Sequence, residues 1–278
     1  MQNYIELRKK RDLGEILSDT FAFARINSKP LFNILLKTTG IFFLVNVLFS
    51  GYYQYTNLNR LVTEDLAAFS ISLLLLMLGS VLYYASATSS IFAFMQQYLD
   101  TKGTVSEEPV IREARQNIGQ MVSLSIMAYL LLILGLLFFI IPGIYFIVPI
   151  ALAFPVFFFK KLGKRDSIRA AFKLASGYWW VTFGTIVVMA ILISIISFVF
   201  QLPGTVYIGV KAFFEASQGS GEFEEFGGDF IYLLLATIGS AASNLLSIFM
   251  IIATGLVYFD LDEEKNRTGI RAKLEELG

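Results

Sequence analysis

The chain has 278 residues, no cysteine, no histidine and a formal net charge of zero; 56% of it is hydrophobic, with a mean hydropathy of +0.66. Soluble domains carry roughly 45–50% apolar residues, so the excess implies lipid as a solvent. The missing residue types exclude disulfides, thiolate and imidazole metal sites, and Cys- or His-dependent catalysis, while zero net charge offers no global field to nucleic acid.

Residues 12–26 open the chain as an amphipathic helix, with Leu13, Ile16, Leu17, Phe21 and Ala24 on one stripe and Glu15, Asp19 and Arg25 elsewhere. Met1 to Arg25 is mixed and charged, with no apolar run ending in a small-residue cleavage site, so no cleavable signal peptide is expected. A bilayer needs roughly 20 apolar residues per helix. The first spans are 31–50, closed by Tyr52, Tyr53 and Tyr55, and 69–99, which exceeds that length. A second amphipathic segment follows, with Ile111, Ala114, Ile118 and Met121 in register and Ser106 as its expected N-cap. Spans 120–141 and 144–159 are separated by Pro142-Gly143, which predicts a helix stop and a tight hairpin.

A third amphipathic helix presents Ile168, Ala171, Phe172 and Ala175 opposite Arg165, Arg169 and Lys173. Tyr178, Trp179 and Trp180 then open span 181–201 as an aromatic belt. The external loop 202–229 predicts a short helix over Thr205–Ala216 lying on the outer face. After it comes an acidic, Gly-rich stretch in which Glu222, Glu224, Glu225 and Asp229 form either a solvated linker or a weak cation or docking site. Span 230–259 completes the set. The tail 260–278 ends in a helix capped by Thr268, whose stripe of Ile270, Leu274 and Leu277 is expected to pack on the chain's own helices.

Lys and Arg fall on alternate connections. They crowd the N-terminal segment, the connection carrying Lys102, Arg112 and Arg115, the one carrying Lys160, Lys161, Lys164 and Arg165, and the tail. The intervening connections hold only Arg60 and Lys211. The positive-inside rule then gives six transmembrane helices with both termini cytoplasmic. The expected fold is a single polytopic all-α integral membrane domain over 1–278, with a cytoplasmic interfacial helix lying in the headgroup plane before each of three hairpins.

No ionisable residue lies in mid-span. Lys37 is near an interface, and Glu64, Asp65, Asp100 and Asp260 sit at or beyond span ends, which argues against proton coupling and voltage sensing. Asn46, Ser86, Ser89, Ser90, Asn244, Ser247 and Thr254 admit two readings: bonding between helices, or a polar path and lipid-headgroup groove. No phosphate loop, metal-ligand cluster or catalytic constellation is singled out, so no catalytic, cofactor or metal residue is assigned.

Leu13-Gly-Glu-Ile-Leu17 with Phe21 and Phe23, Ile141-Pro-Gly-Ile144, Pro149, Pro155-Val156, Asp166 to Trp180, and Tyr258-Phe-Asp-Leu261 resemble the glycerophosphoryl diester phosphodiesterase membrane-domain family. Glu263 to Gly269 is similar to its Bacteroidota members. The resemblance covers nearly the whole chain and implies a six-span bacterial inner-membrane module. The family's soluble catalytic domain relies on histidines and metal-binding carboxylates, and this chain has no histidine, so the resemblance implies no such activity. The expected role is a non-catalytic subunit or scaffold with membrane lipids and other membrane proteins as partners. A carrier or scramblase for a lipid or uncharged amphiphile, with Asn46, Ser86, Ser89 and Asn244 lining its groove, is the alternative. An enzyme acting on phospholipid headgroups is a third reading.

Overall fold

The computed structural model describes residues 4–63, 65–138, 140–217 and 229–277. Their regular structure is helical throughout: α1 (Leu13–Ile26), α2 (Ser28–Thr63), α3 (Leu66–Asp100), α4 (Glu107–Phe138), α5 (Ile140–Lys160), α6 (Lys164–Ala175), α7 (Trp179–Ser217), α8 (Phe230–Asn266) and α9 (Thr268–Leu277). Six of these, α2, α3, α4, α5, α7 and α8, are long and apolar enough to cross a membrane. The protein is an all-α, six-span membrane protein. Helices suit that solvent because each satisfies its backbone polar groups within itself.

Several boundaries differ from the sequence expectation. The second amphipathic segment is not a separate element but the first half of α4. Val110, Ala114, Met121 and Leu124 are all buried along it, so one face continues past Gly119 without a break. The helix expected over Thr205–Ala216 is likewise the continuation of α7, which passes through Pro203 and ends at Ser217. Pro142 lies in the first turn of α5 rather than at the turn between helices, because N–H groups there have no intrahelical acceptor and a proline loses nothing.

The chain forms two units. The first comprises Met1–Thr39, Ala85–Ile191 and Ile248–Gly278. Its core joins Phe23, Ile34, Phe92, Phe94, Met95, Tyr98, Met121, Leu124, Leu152 and Leu256. Phe23 meets Phe94 and Tyr98 edge-on at 5.9 and 5.0 Å, a favoured aromatic geometry. α1 buries Ile16, Thr20 and Phe23, and α6 buries Ser167, Ala171, Leu174 and Ala175. Protein therefore meets these residues, while Leu17, Phe21 and Ala24 of the expected α1 stripe are only half-buried. On α1, Leu13 and Ile26 stay exposed.

The second unit comprises Gly40–Tyr84 and Leu192–Ser247, the α2–α3 and α7–α8 hairpins. Small residues set its crossings, as close backbone approach in lipid requires. A Cβ on Gly79 would stand 3.3 Å from the Asn46 Cα and 2.9 Å from the Phe49 ring. One on Gly239 would stand 2.9 Å from the Phe200 carbonyl oxygen and 3.3 Å from the Gln201 Cα. Gly239→Leu is expected to cost about 1–3 kcal/mol by overpacking, read as a lower melting midpoint in detergent. Gly209→Ala, where nothing lies within 4 Å, should leave the midpoint unchanged or slightly raised.

Candidate functional site

The apolar run of α8 gives way to Asp260-Leu261-Asp262-Glu263-Glu264-Lys265 before the helix ends at Asn266. Residues four apart share a face of a helix, so Asp260 and Glu264 form one row and Asp262 and Asn266 another. Each row is used. The Arg11 amide donates to Asp260 Oδ1 at 2.7 Å. Lys10 pairs with Glu264 Oε2, and the Tyr178 hydroxyl donates to Glu264 Oε1 at 3.1 Å. Asp262 accepts from Lys160 at 3.0 Å, from Asn266 at 2.7 Å and from the Thr268 hydroxyl at 2.9 Å. Glu263 accepts from the Gly269 and Ile270 amides at 2.5 and 3.4 Å, which places a carboxylate on the N-terminus of α9.

Lys265 completes the set from the opposite sign. Its ammonium donates to the Lys173 and Ser176 carbonyls at 2.7 and 2.6 Å, capping the C-terminus of α6. One short stretch of α8 thus ties down the N-terminal arm, the ends of α5 and α6, Tyr178 and the start of α9. Gly269 is required at this point, since a Cβ there would meet the Arg8 carbonyl oxygen at 2.7 Å. Thr268 does not cap α9 as expected. It is the first helical residue, and its hydroxyl is spent on Asp262. Of the expected α9 stripe, Ile270 and Leu274 are exposed and the Leu277 side chain lies outside the described ones; the helix docks through Gly269 against the Arg8 carbonyl.

The arm folds around Arg11, whose side chain is fully buried. Its guanidinium donates to Asp19 at 2.9 Å, to the Leu7 and Lys9 carbonyls at 2.7 and 3.2 Å, and to the Glu6 carbonyl. Asp12 and Glu15 then close a capping box at the start of α1. Burial alone would raise the Asp19 carboxyl, but hydrogen bonds from Arg11 and Lys9 outweigh it and hold the group below its ordinary range. The hydrogen bond to Glu264 holds the Lys10 ammonium above its own.

The polar residues expected in the spans are hydrogen-bonded inside the protein. Ser86 and Ser89 belong to the first unit, Asn46 and Asn244 to the second. Ser89 donates to the Ala114 carbonyl at 2.8 Å, Ser90 donates to the Ser86 carbonyl at 2.7 Å, and all three serines are buried. In the second unit Asn244 donates to Asn46 Oδ1 at 2.8 Å, Asn46 donates to Ser80 at 3.1 Å, and the Tyr83 hydroxyl donates to the Asn244 carbonyl at 2.6 Å. Lys37 is half exposed yet has a partner. It pairs with Glu107 at 2.5 Å, where Asn33 also donates at 3.0 Å, tying α2 to the first turn of α4.

Glu222, Glu224 and Glu225 lie outside the described residues. Asp229 is committed elsewhere, accepting from Lys211 and Tyr207 at 2.9 Å and from the Tyr232 amide at 3.1 Å as it opens α8. It therefore brings no free carboxylate to a cation site. Burial would raise Asp229, but these bonds, led by Lys211, prevail and lower it. Among the described residues no group of three acidic side chains is placed to hold a metal. The α8 node went unrecognised in the sequence because 260–278 read as a tail; four acids in five positions directly behind an apolar run were the available signal.

No protein-family model, curated protein or solved structure matches this chain.

The Asp19 carboxyl titrates lower in the folded than in the unfolded protein, so its contact stabilises above the unfolded value of about 3.9 and is lost as pH falls through the folded value. Asp19→Asn should cost about 1.5–3 kcal/mol near pH 7, the range for a hydrogen bond to a charged group. Melting curves recorded from pH 7 down to pH 3 should show wild type and variant converging at the acid end.

Proposed function

We propose that this protein is a non-catalytic subunit or scaffold of a membrane assembly in the bacterial cytoplasmic membrane, acting through contacts with other membrane proteins and with lipid. The observation carrying this reading is the apolar surface of α7. The stretch Trp179–Phe214 is 36 residues long, against roughly 20 needed to cross a bilayer. Large apolar side chains stay exposed along it, from Trp180 and Val181 through Ile195, Phe198 and Val199 to Val210, Phe213 and Phe214. Hydrocarbon covers one span's length of such a helix; the remainder favours another protein.

Two further features support the reading. The span serines and asparagines spend their hydrogen bonds within the protein, so they offer little to a polar path of the carrier alternative. The resemblance to the glycerophosphoryl diester phosphodiesterase membrane domain also implies a membrane module without the enzyme.

The test is purification in mild detergent with native mass measurement and identification of co-eluting proteins. A stoichiometric protein partner is expected, and Phe213→Ser with Phe214→Ser should reduce its recovery at least several-fold without changing the melting midpoint. A chain that runs only as a monomer or homo-oligomer would overturn the proposal.

For orientation, the basic segments Lys160 to Lys164 and Lys265 to Arg271 favour the cytoplasm by the positive-inside rule. A reporter active only in the cytoplasm should work when fused after Gly278. Activity only from the opposite-side reporter would reverse the assignment.

A further inference from the structure

The first unit contains a cleft of about 520 Å3 between residues 10–16, the start of α7 and the end of α8, within the ~300–1,000 Å3 range of small-ligand sites. Its wall is chemically divided. Leu13, Val181, Val257 and Leu261 line it with apolar surface, while Tyr178, Thr182, Thr185, Asp260 and Glu264 supply oxygen atoms. The protein's own cations at the cleft are each paired with an acid. The Arg11 amide is on Asp260, its guanidinium is on Asp19 and three carbonyls, and Lys10 is on Glu264. Tyr178 donates to Glu264, while Thr182 and Thr185 donate to the Tyr178 and Val181 carbonyls at 2.9 and 3.0 Å.

What the cleft keeps is acceptor capacity. Both threonine oxygens retain lone pairs, and Asp260 Oδ2 has no hydrogen-bond or ion-pair partner among the described residues. A complementary ligand must bring N–H donors and positive charge. The cleft also reaches the surface where α7 begins: Val181 is 69% exposed and lies beside Trp180, 78% exposed. Tryptophan at the start of a spanning helix marks headgroup depth, so the mouth faces lipid at the level where headgroups lie.

We propose that this cleft binds the primary ammonium headgroup of an aminophospholipid, with Asp260 taking the charge, Thr182 and Thr185 accepting N–H bonds, and the glycerol and chain leaving past Val181. This site goes beyond the subunit reading and does not depend on it. Choline cannot donate, and a glycerol headgroup carries no positive charge. The site therefore selects phosphatidylethanolamine over phosphatidylcholine and phosphatidylglycerol.

Trp180 directly precedes the cleft-lining Val181, while Trp179 stacks on Tyr145 and Phe183, so binding is followed by calorimetry, with intrinsic fluorescence as a second readout. The delipidated full-length protein in detergent is titrated with short-chain phosphatidylethanolamine, phosphatidylcholine and phosphatidylglycerol, and separately with free ethanolamine. Saturable binding of phosphatidylethanolamine is expected, about tenfold tighter than either other lipid. Asp260→Asn, which keeps an acceptor for the Arg11 amide, should weaken it about tenfold. Val181→Lys, a change at an exposed position, should do the same by repulsion and decides the matter if Asp260→Asn fails to fold. Equal binding of phosphatidylglycerol, or wild-type affinity in a folded variant, would overturn the site. Free ethanolamine binding as tightly as the lipid would overturn the lipid assignment in favour of a soluble amine.

Discussion

A charge or polar group near the edge of a bilayer must find a partner or remain in water, because removing it unpaired from solvent costs several kcal/mol. The end of α8 meets this constraint by meshing its charges with every chain end nearby. Asp260, Asp262, Glu263 and Glu264 accept from the N-terminal arm, from Lys160 and from the start of α9, while Lys265 covers the carbonyls at the end of α6. Orphan groups at helix ends are normally met by local caps or water. Here they are met by a neighbouring helix, so the arm, α6 and α9 are fixed by a single turn and a half of backbone. The same arrangement leaves Asp260 with an oxygen that has no partner among the described residues, beside an apolar wall, and the proposed headgroup site follows from that remainder.

The second unit solves the same problem in hydrocarbon with neutral groups. Small residues bring the helices of each hairpin together at Gly79 and Gly239, and the asparagine pair Asn46–Asn244 joins one hairpin to the other. Interhelical hydrogen bonds in membranes average only about 0.6 kcal/mol. Their value lies less in stability than in fixing register, since an apolar interface between two helices in lipid has many near-equivalent alignments. Gln54 with Ser240 at 3.4 Å and Gln201 with Ser243 at 3.2 Å extend that alignment along the same helices.

These networks explain why polar span residues were ambiguous when only the sequence was in view. Asn46 and Asn244 are far apart along the chain, and nothing in either neighbourhood distinguishes a groove lining from a clasp. Asp229 presents the same difficulty. Its sequence context is acidic and Gly-rich, yet its carboxylate belongs to Lys211, Tyr207 and the first turn of α8. The amphipathic helices misled in another way, because periodicity identifies an apolar face without naming what covers it. On α1 and α6 protein covers part of the face; on α9 Ile270 and Leu274 are left exposed while Gly269 makes the contact.

The class of solvent, the six spans and the lack of histidine and cysteine side chains are all legible in the amino-acid order. These depend on composition and on uninterrupted apolar length, both local properties that survive without knowing any contact. Where helices merge, as in α4 and α7, which polar side chains act as clasps, and where a carboxylate keeps spare capacity among the described residues are set by packing. Those outcomes depend on pairings such as Arg11 with Asp260, whose partners are brought together by packing from opposite ends of the chain.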